Sequence, residues 1–276
     1  MGTLYITKRI EFSSSHFYFN PQWDRVENAR LFGKEVNTHG HNYLLELSLE
    51  GEIDPVTGMV INTVELKEKV LHLLQEFDHK HLNLDTPFFQ NRLPTVENIA
   101  QTLGERFQLQ NKGLNLSGIR LYENEDDFSD TFVSQKGTPM GKKIFLHTKT
   151  YRFSSAHRLH SRSLSEEENF KIYGKCNNPN SHGHNYVLEV TLKGDFDPVK
   201  GIIEDYETLD RQIRREVVER YDHHYLDQDF EEFKNKVSTA ENILIIVWDR
   251  LTPFLSNRLY KLKLIETRDN HFEYYG

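Results

Sequence analysis

The segment HGHNYVLEVTLKG, residues 182–194, has a near copy in HGHNYLLELSLEG at 39–51. After its histidines each alternates apolar and polar residues, the period of a half-buried strand. The likeness runs outward on both sides. IEFSSSHF at 10–17 answers YRFSSAHR at 151–158, and FDHKHLN at 77–83 answers YDHHYLD at 221–227. PTVENIA at 94–100 answers STAENIL at 238–244, and IRLYENED at 119–126 answers LKLIETRD at 262–269. The offset is 141 residues at the first histidine, 143 at HGH, 144 at the DH pair and 143 at the last glutamate. That order with so little drift marks a tandem duplication. The first repeat is expected at 1–126 and the second at 143–276. Residues 127–142 mix acids, Ser, Gly and Pro without a stable period and read as a linker.

Each half has one coarse pattern. A first strand (TLYITKRIEF; KTYRFSSAH) is followed by the HGH strand, two helical stretches and a final strand, with room for one more. In the first half, TVELKEKVLHLLQEF has helical spacing, with Val64, Val70, Leu71, Leu74 and Phe77 expected as its apolar stripe. Thr95 followed by Asn98 suits a helix start. The class is α+β: an antiparallel four-stranded sheet with two helices on one face, duplicated. No Gly-rich loop follows a strand and opens a helix, so a dinucleotide-binding fold is excluded.

Composition sets outer limits. The 276 residues suit two domains of ordinary size, and 37% apolar residues, with 18 Phe and 13 Tyr, can fill two cores. A net charge of −8 argues against nonspecific nucleic-acid binding but leaves room for a locally basic pocket. The most apolar stretch, NILIIVWDRL, is too short and too charged to span a bilayer, so no membrane partner is expected. The single cysteine cannot form an internal disulfide, and the start of the chain lacks an apolar signal region. A cytoplasmic location is expected.

The histidines carry the chemistry. In HGH two imidazoles lie at i and i+2, on one face of a strand. If the first strand pairs with it, His16 joins His39 and His41, and His157 joins His182 and His184. Three imidazoles with one open position are a catalytic zinc arrangement. Calcium prefers oxygen, whereas iron and nickel share this ligand type. Gly40 and Gly183 leave room for close backbone approach. Asp78–His79 and Asp222–His223 form a second constellation, in which the carboxylate can orient the imidazole and raise its basicity. Cys176 lies in an Asn- and Pro-rich loop six residues before His182, a poor place for a core thiol and a good one for a catalytic thiol. Glu123 and Glu266, near the final strands, could each accept two parallel hydrogen bonds from a guanidine-like edge.

These motifs together resemble the 6-pyruvoyl-tetrahydropterin synthase / 6-carboxy-tetrahydropterin synthase family. The second half is especially similar to the pyruvoyl type, in FSSAHRL, LSEEENFKIYGKCNNPNSHGHNY, DHHYLD, STAEN and IETRDN. The resemblance implies the tunnelling fold, in which subunits pair their sheets into a barrel, with three chains giving six repeats in a homo-oligomer. It implies Zn2+ on His157, His182 and His184, Cys176 as general base, and Asp222 and His223 as a proton relay. It also implies Glu266 as the pterin anchor, with Thr239 and Glu241 lining that end; Glu123, Thr95 and Glu97 hold the same places in the first half. The implied substrate is 7,8-dihydroneopterin triphosphate, converted to 6-pyruvoyl-tetrahydropterin with loss of triphosphate and with no external electron carrier. The carboxy-type product of the queuosine pathway, formed with loss of acetaldehyde, and a non-catalytic pterin-binding module are the alternatives.

The halves differ at one decisive place. GKEVNTHGH is two residues shorter than GKCNNPNSHGH, and alignment at GK sets Glu35 opposite Cys176. A free carboxylate is a weaker base than a thiolate toward a carbon-bound proton, and it is a hard donor that could fill an open metal position. The second half is therefore expected to be catalytic. The first, with Glu35, Asp78 and His79, is expected to be a weakened or repurposed copy, although some relatives use a glutamate near this loop to make a different dihydropterin.

Overall fold

A computed structural model describes residues 3–132, 144–194 and 206–276. They fall into two compact units: Met1–Thr148 with Lys193–Glu207, and Lys149–Leu192 with Thr208–Gly276.

The first unit contains β1 (Leu4–His16), α1 (Arg25–Phe32), β2 (His39–Gly51), α2 (Thr63–Leu74), β3 (Lys80–His81), the single turn α3 (Leu82–Asp85), α4 (Val96–Gln110), β4 (Asn115–Asn124) and β5 (Asp127–Phe132). Its strands lie in the order β5-β4-β2-β1-β3. The four long strands run antiparallel, and the two-residue β3 pairs parallel to β1 at Ser14 and Ser15. β2 buries Tyr43, Leu45, Leu47 and Leu49 against α2 and α4. Alternation places these four on one face, as the sequence pattern requires.

The second unit repeats the plan with β6 (Ile144–His157), α5 (Glu166–Tyr173), β7 (His182–Gly194), α6 (Tyr206–Ile213), α7 (Glu219–Tyr221), β8 (His224–Tyr225), α8 (Leu226–Asp229), α9 (Ala240–Leu255), β9 (Leu259–Thr267) and β10 (Asn270–Tyr274). A π-helical turn at Arg214–Val218 joins α6 to α7. The strand order is β10-β9-β7-β6, with β8 on β6. The first residues of β6 belong to the first unit. No helix among the described residues is long and apolar enough to cross a membrane.

Three expectations need correction. The stripe of α2 is Leu66, Val70, Leu73 and Leu74, continued by Phe77, whereas Val64 and Leu71 are exposed. Counting from Leu66 by fours and threes gives the face that meets the sheet. The supposed linker begins with a strand: Asp127–Phe132 pairs with β4, and Arg120 forks onto the buried Asp130 at 2.5 and 2.9 Å. That bidentate pair lets a polar segment enter the sheet. Residues 133–142 of that span lie outside the described residues. Finally, the loop between the first two strands of each half contains a short helix, α1 or α5, beyond the two expected helices.

Candidate metal and catalytic site

Strand register builds the histidine cluster. In the β1–β2 pair His16 stands directly opposite His39, and Ser14 opposite His41. His41 is therefore the diagonal neighbour of His16 on the same face. Ring centroids are 4.4 Å apart for His16–His39, 5.2 Å for His16–His41 and 5.1 Å for His39–His41. The second unit gives 4.4, 5.1 and 5.1 Å for His157, His182 and His184. In each triple the donor nitrogens lie within 4.8 Å of one another. Gly40 and Gly183 are needed for this approach, because a Cβ on either would lie 3.0 Å from the carbonyl oxygen of Ser14 or Ser155.

The hydrogen bonds behind the rings set their tautomers. His16 Nδ1 donates to the Pro94 carbonyl at 2.8 Å, and His39 Nδ1 donates to Asn37 at 2.7 Å. Their Nε2 atoms face each other at 2.9 Å. His157 is held likewise by Ser238 at 2.7 Å and turns its Nε2 to His182 Nε2 at 3.0 Å. Burial, followed by the neighbouring imidazoles, pushes His16 down to about 3 and His41 to about 4. Burial also pushes His157 down to about 4. These three rings are neutral at physiological pH. Converging imidazole nitrogens, with backbone carbonyls behind two rings of the first triple and one of the second, are a donor set that could hold a transition metal.

The GK loops of the two halves share one backbone pattern. Tyr18 N–H donates to the Glu35 carbonyl at 2.7 Å, and its counterpart Leu159 donates to Cys176 at 2.9 Å. Gly33 and Gly174, at φ 53° and 54°, open the same turn. Glu35 and Cys176 thus occupy one backbone position. Their side chains differ in engagement: Glu35 Oε2 is 2.5 Å from the ligand nitrogen of His39, while Cys176 is a free, half-buried thiol.

Asp78–His79 and Asp222–His223 are built identically at the end of the second helix. Asp222 accepts Ser154 N–H at 2.7 Å and lies 2.9 Å from His223 Nδ1, and His223 N–H donates to Ser154 O at 2.6 Å. The Ser154 bond, with His223, holds the Asp222 carboxyl below its ordinary range. Asp78 accepts Ser13 N–H at 2.9 Å and lies 2.9 Å from His79 Nδ1. His79 and His223 adopt φ of 56° and 60°, uncommon for non-glycine residues and a frequent mark of functional positions. Both imidazoles are more than 80% exposed at the outer edge of β1 or β6. Among the described residues neither imidazole makes a hydrogen bond to the histidine triple, although His79 and His41 line one cleft in the first unit.

Glu123 Oε1 lies 3.3 Å from His41 Nε2, and Tyr18 Oη donates to Glu123 Oε2 at 3.5 Å. Glu266 lies 3.7 Å from His184 and 4.0 Å from His157, with Leu159 where Tyr18 stands. Both glutamates join the face of the histidine triple. Thr95 and Glu97 are buried, Thr239 is half-buried and Glu241 is exposed. The two threonine hydroxyls accept from Asn98 and Asn242 as helix caps.

Sequence reasoning missed two features. Asn28 and Asn169, both fully buried, tie down the loop before the triple. Asn169 Nδ2 donates to the Ser161, Leu164 and Ser165 carbonyls, and its Oδ1 accepts from Ser161 N–H at 2.7 Å. His147, at the start of β6, lies buried between Glu97 and Asp127, 3.2 Å from each.

Comparison with known proteins gives a consistent picture. The chain matches the family described as 6-pyruvoyl tetrahydropterin synthase over residues 5–132 and again over 147–276. A 6-pyruvoyl tetrahydrobiopterin synthase from Poecilia reticulata is 42% identical over 145 residues, 52% of this chain and 99% of its own. The solved 6-pyruvoyl tetrahydropterin synthase of Caenorhabditis elegans shares 44% identity over 48% of this chain and 96% of its own, at a TM-score of 0.47. An Archaeoglobus fulgidus protein, provisionally named a 6-carboxy-5,6,7,8-tetrahydropterin synthase, is 36% identical over 92 residues, 33% of this chain and 73% of its own.

Proposed function

The chain belongs to the 6-pyruvoyl tetrahydropterin synthase family through both of its halves, and we propose that its second half converts 7,8-dihydroneopterin triphosphate to 6-pyruvoyl-tetrahydropterin, with elimination of triphosphate. One observation carries this assignment: the ligand-competent triple of His157, His182 and His184 is accompanied by a free thiol in the second half only.

His157, His182 and His184 would hold zinc, and their converging ring nitrogens, with His157 Nδ1 held by the Ser238 carbonyl, fit that ion. When bound, zinc polarises and acidifies the hydroxyl groups of the substrate side chain. Cys176 takes the proton from side-chain carbon. Asp222 keeps His223 oriented to return one elsewhere in the side chain, so the oxidation level is redistributed without an electron carrier. Glu266 accepts hydrogen bonds from the pterin's guanidine-like edge. His16, His39 and His41 would hold a second zinc in the first half.

His223 is more than 80% exposed where β8 joins β6, so the relay pair suits a pocket completed by another copy of the chain. β1 meets β3 at Ser14 and Ser15 only, leaving Leu4–Phe12 as an edge beyond it. Exposed edges favour closure by pairing. Three chains, six repeats, is the proposed assembly, in a reducing cytoplasmic compartment that suits the free cysteine. Light scattering should find an oligomer at micromolar concentration, and a monomer there would exclude it.

Incubating the purified chain with 7,8-dihydroneopterin triphosphate should release triphosphate and give the pyruvoyl mass. A carboxy product with acetaldehyde would support the alternative that the archaeal relative favours. Tight pterin binding without turnover would leave a binding module.

A further inference from the structure

We propose that His147 is a specificity-determining residue: it closes the first half's pocket to a pterin, so the chain takes one pterin although it has two histidine triples. This rests on the synthase assignment above and says which half is open to the ligand.

His147 lies within the first unit, and its neighbours adjoin the first triple. His16 Nδ1 is held by the Pro94 carbonyl at 2.8 Å, and Glu97 stands three residues on, in the first turn of α4. Glu123 reaches the triple from β4, 3.3 Å from His41. In the β4–β5 pair Asp127 stands opposite Asn124, the residue after Glu123. Charge effects agree with this placement. Burial and His39 hold His41 low, and Asp127 opposes them. Burial and then Glu123 lift Tyr18 above its usual range, and Glu97 adds to that. Three carboxylates therefore gather beside the first triple.

All three are engaged. Glu123 lies beside His41 and accepts from Tyr18 Oη at 3.5 Å. Glu97 Oε1 lies 3.2 Å from His147 Nδ1, and Asp127 Oδ1 lies 3.2 Å from His147 Nε2. The imidazole thus turns one nitrogen to each acid. Glu97 is fully buried and His147 is 3% exposed, so no ligand reaches Glu97 while the ring is there. A carboxylate recognises a guanidine-like edge by accepting two parallel N–H groups. At Glu97 the ring of His147 stands where such an edge would have to lie.

The second half differs at each point. There the Ser238 carbonyl holds His157 Nδ1 at 2.7 Å, as Pro94 holds His16. Glu241, at the offset of 144 from Glu97, lies in the first turn of α9 and is exposed. Asn270 stands opposite Thr267 in the β9–β10 pair, as Asp127 stands opposite Asn124, so that place carries an amide instead of an acid. At the offset of 141 the counterpart of His147 is Ile6, which has no polar group to offer a carboxylate. The closure therefore belongs to the first half alone and distinguishes the halves independently of Cys176.

The test is calorimetry of the full chain with oxidised neopterin, which has the guanidine-like edge and no phosphate to eliminate. The unsubstituted chain should bind one neopterin, and E266Q should lose it. H147A and H147A/D127N should bind two, and adding E97Q should return them to one. H147A leaves two acids together without that imidazole, a cost when buried. The double variant removes one charge by using the residue found at 270, and thermal melts establish that it is folded. Folded variants that gain no site overturn the closure, as does an unsubstituted chain that already binds two. An unsubstituted chain that binds none, with variants that bind one, keeps the closure and removes the synthase assignment instead.

Discussion

C176A is expected to lower turnover of 7,8-dihydroneopterin triphosphate by about 10²- to 10⁴-fold, the range for loss of a positioned acid–base group, while E35A changes it little. The two residues share one backbone position, fixed by the amide two residues after each half's first histidine. What differs is the side chain. The Glu35 carboxylate lies 2.5 Å from His39 Nε2 and is committed to the histidine face. The Cys176 thiol has no such engagement and can meet a substrate carbon. The first half also ties Glu123 to Tyr18, whereas Leu159 stands in the place of that tyrosine in the second half. Steady-state rates with product masses check the comparison. If E35A abolishes the main product and C176A spares it, the roles of the halves are reversed.

The second large effect is on metal content. The native chain should carry two zinc ions, and H182A or H184A should carry one. Each triple supplies three ligands, the minimum for a catalytic zinc, and removing one leaves too few. The two triples are separate clusters, so the loss stays within one half. H182A should abolish turnover with its metal. H41A should also lose one ion but retain turnover, because it empties the half without a thiol. Elemental analysis per chain reads the first effect and kinetics the second. An unchanged metal content in H182A and H184A would defeat the ligand assignment.

The histidine cluster was legible because strand geometry is local. HGH fixes two imidazoles on one face, and the repeat supplies the third, so the register of His16 against His39 needed only that β1 and β2 pair. The short helices were not read, although Ser165 and Glu168 form a full capping box ahead of α5. The acidic run that follows Ser165 resembles loop composition, and its helix depends on Asn169, whose bonds reach back to Ser161. β5 was hidden for another reason. Its acid Asp130 is neutralised by Arg120, ten residues earlier, and no local pattern announces that pairing.

The position of His147 matters for anyone who separates the halves. The sequence repeats change over near residue 143, but the first compact unit runs to Thr148. A gene cut at the repeat boundary would send His147 away with the second product. The first product would then lose the imidazole that sits 3.2 Å from both the buried Glu97 and Asp127. A cut after Thr148 keeps the three together. For dissection or circular permutation, ancestry and independent folding therefore call for different scissors.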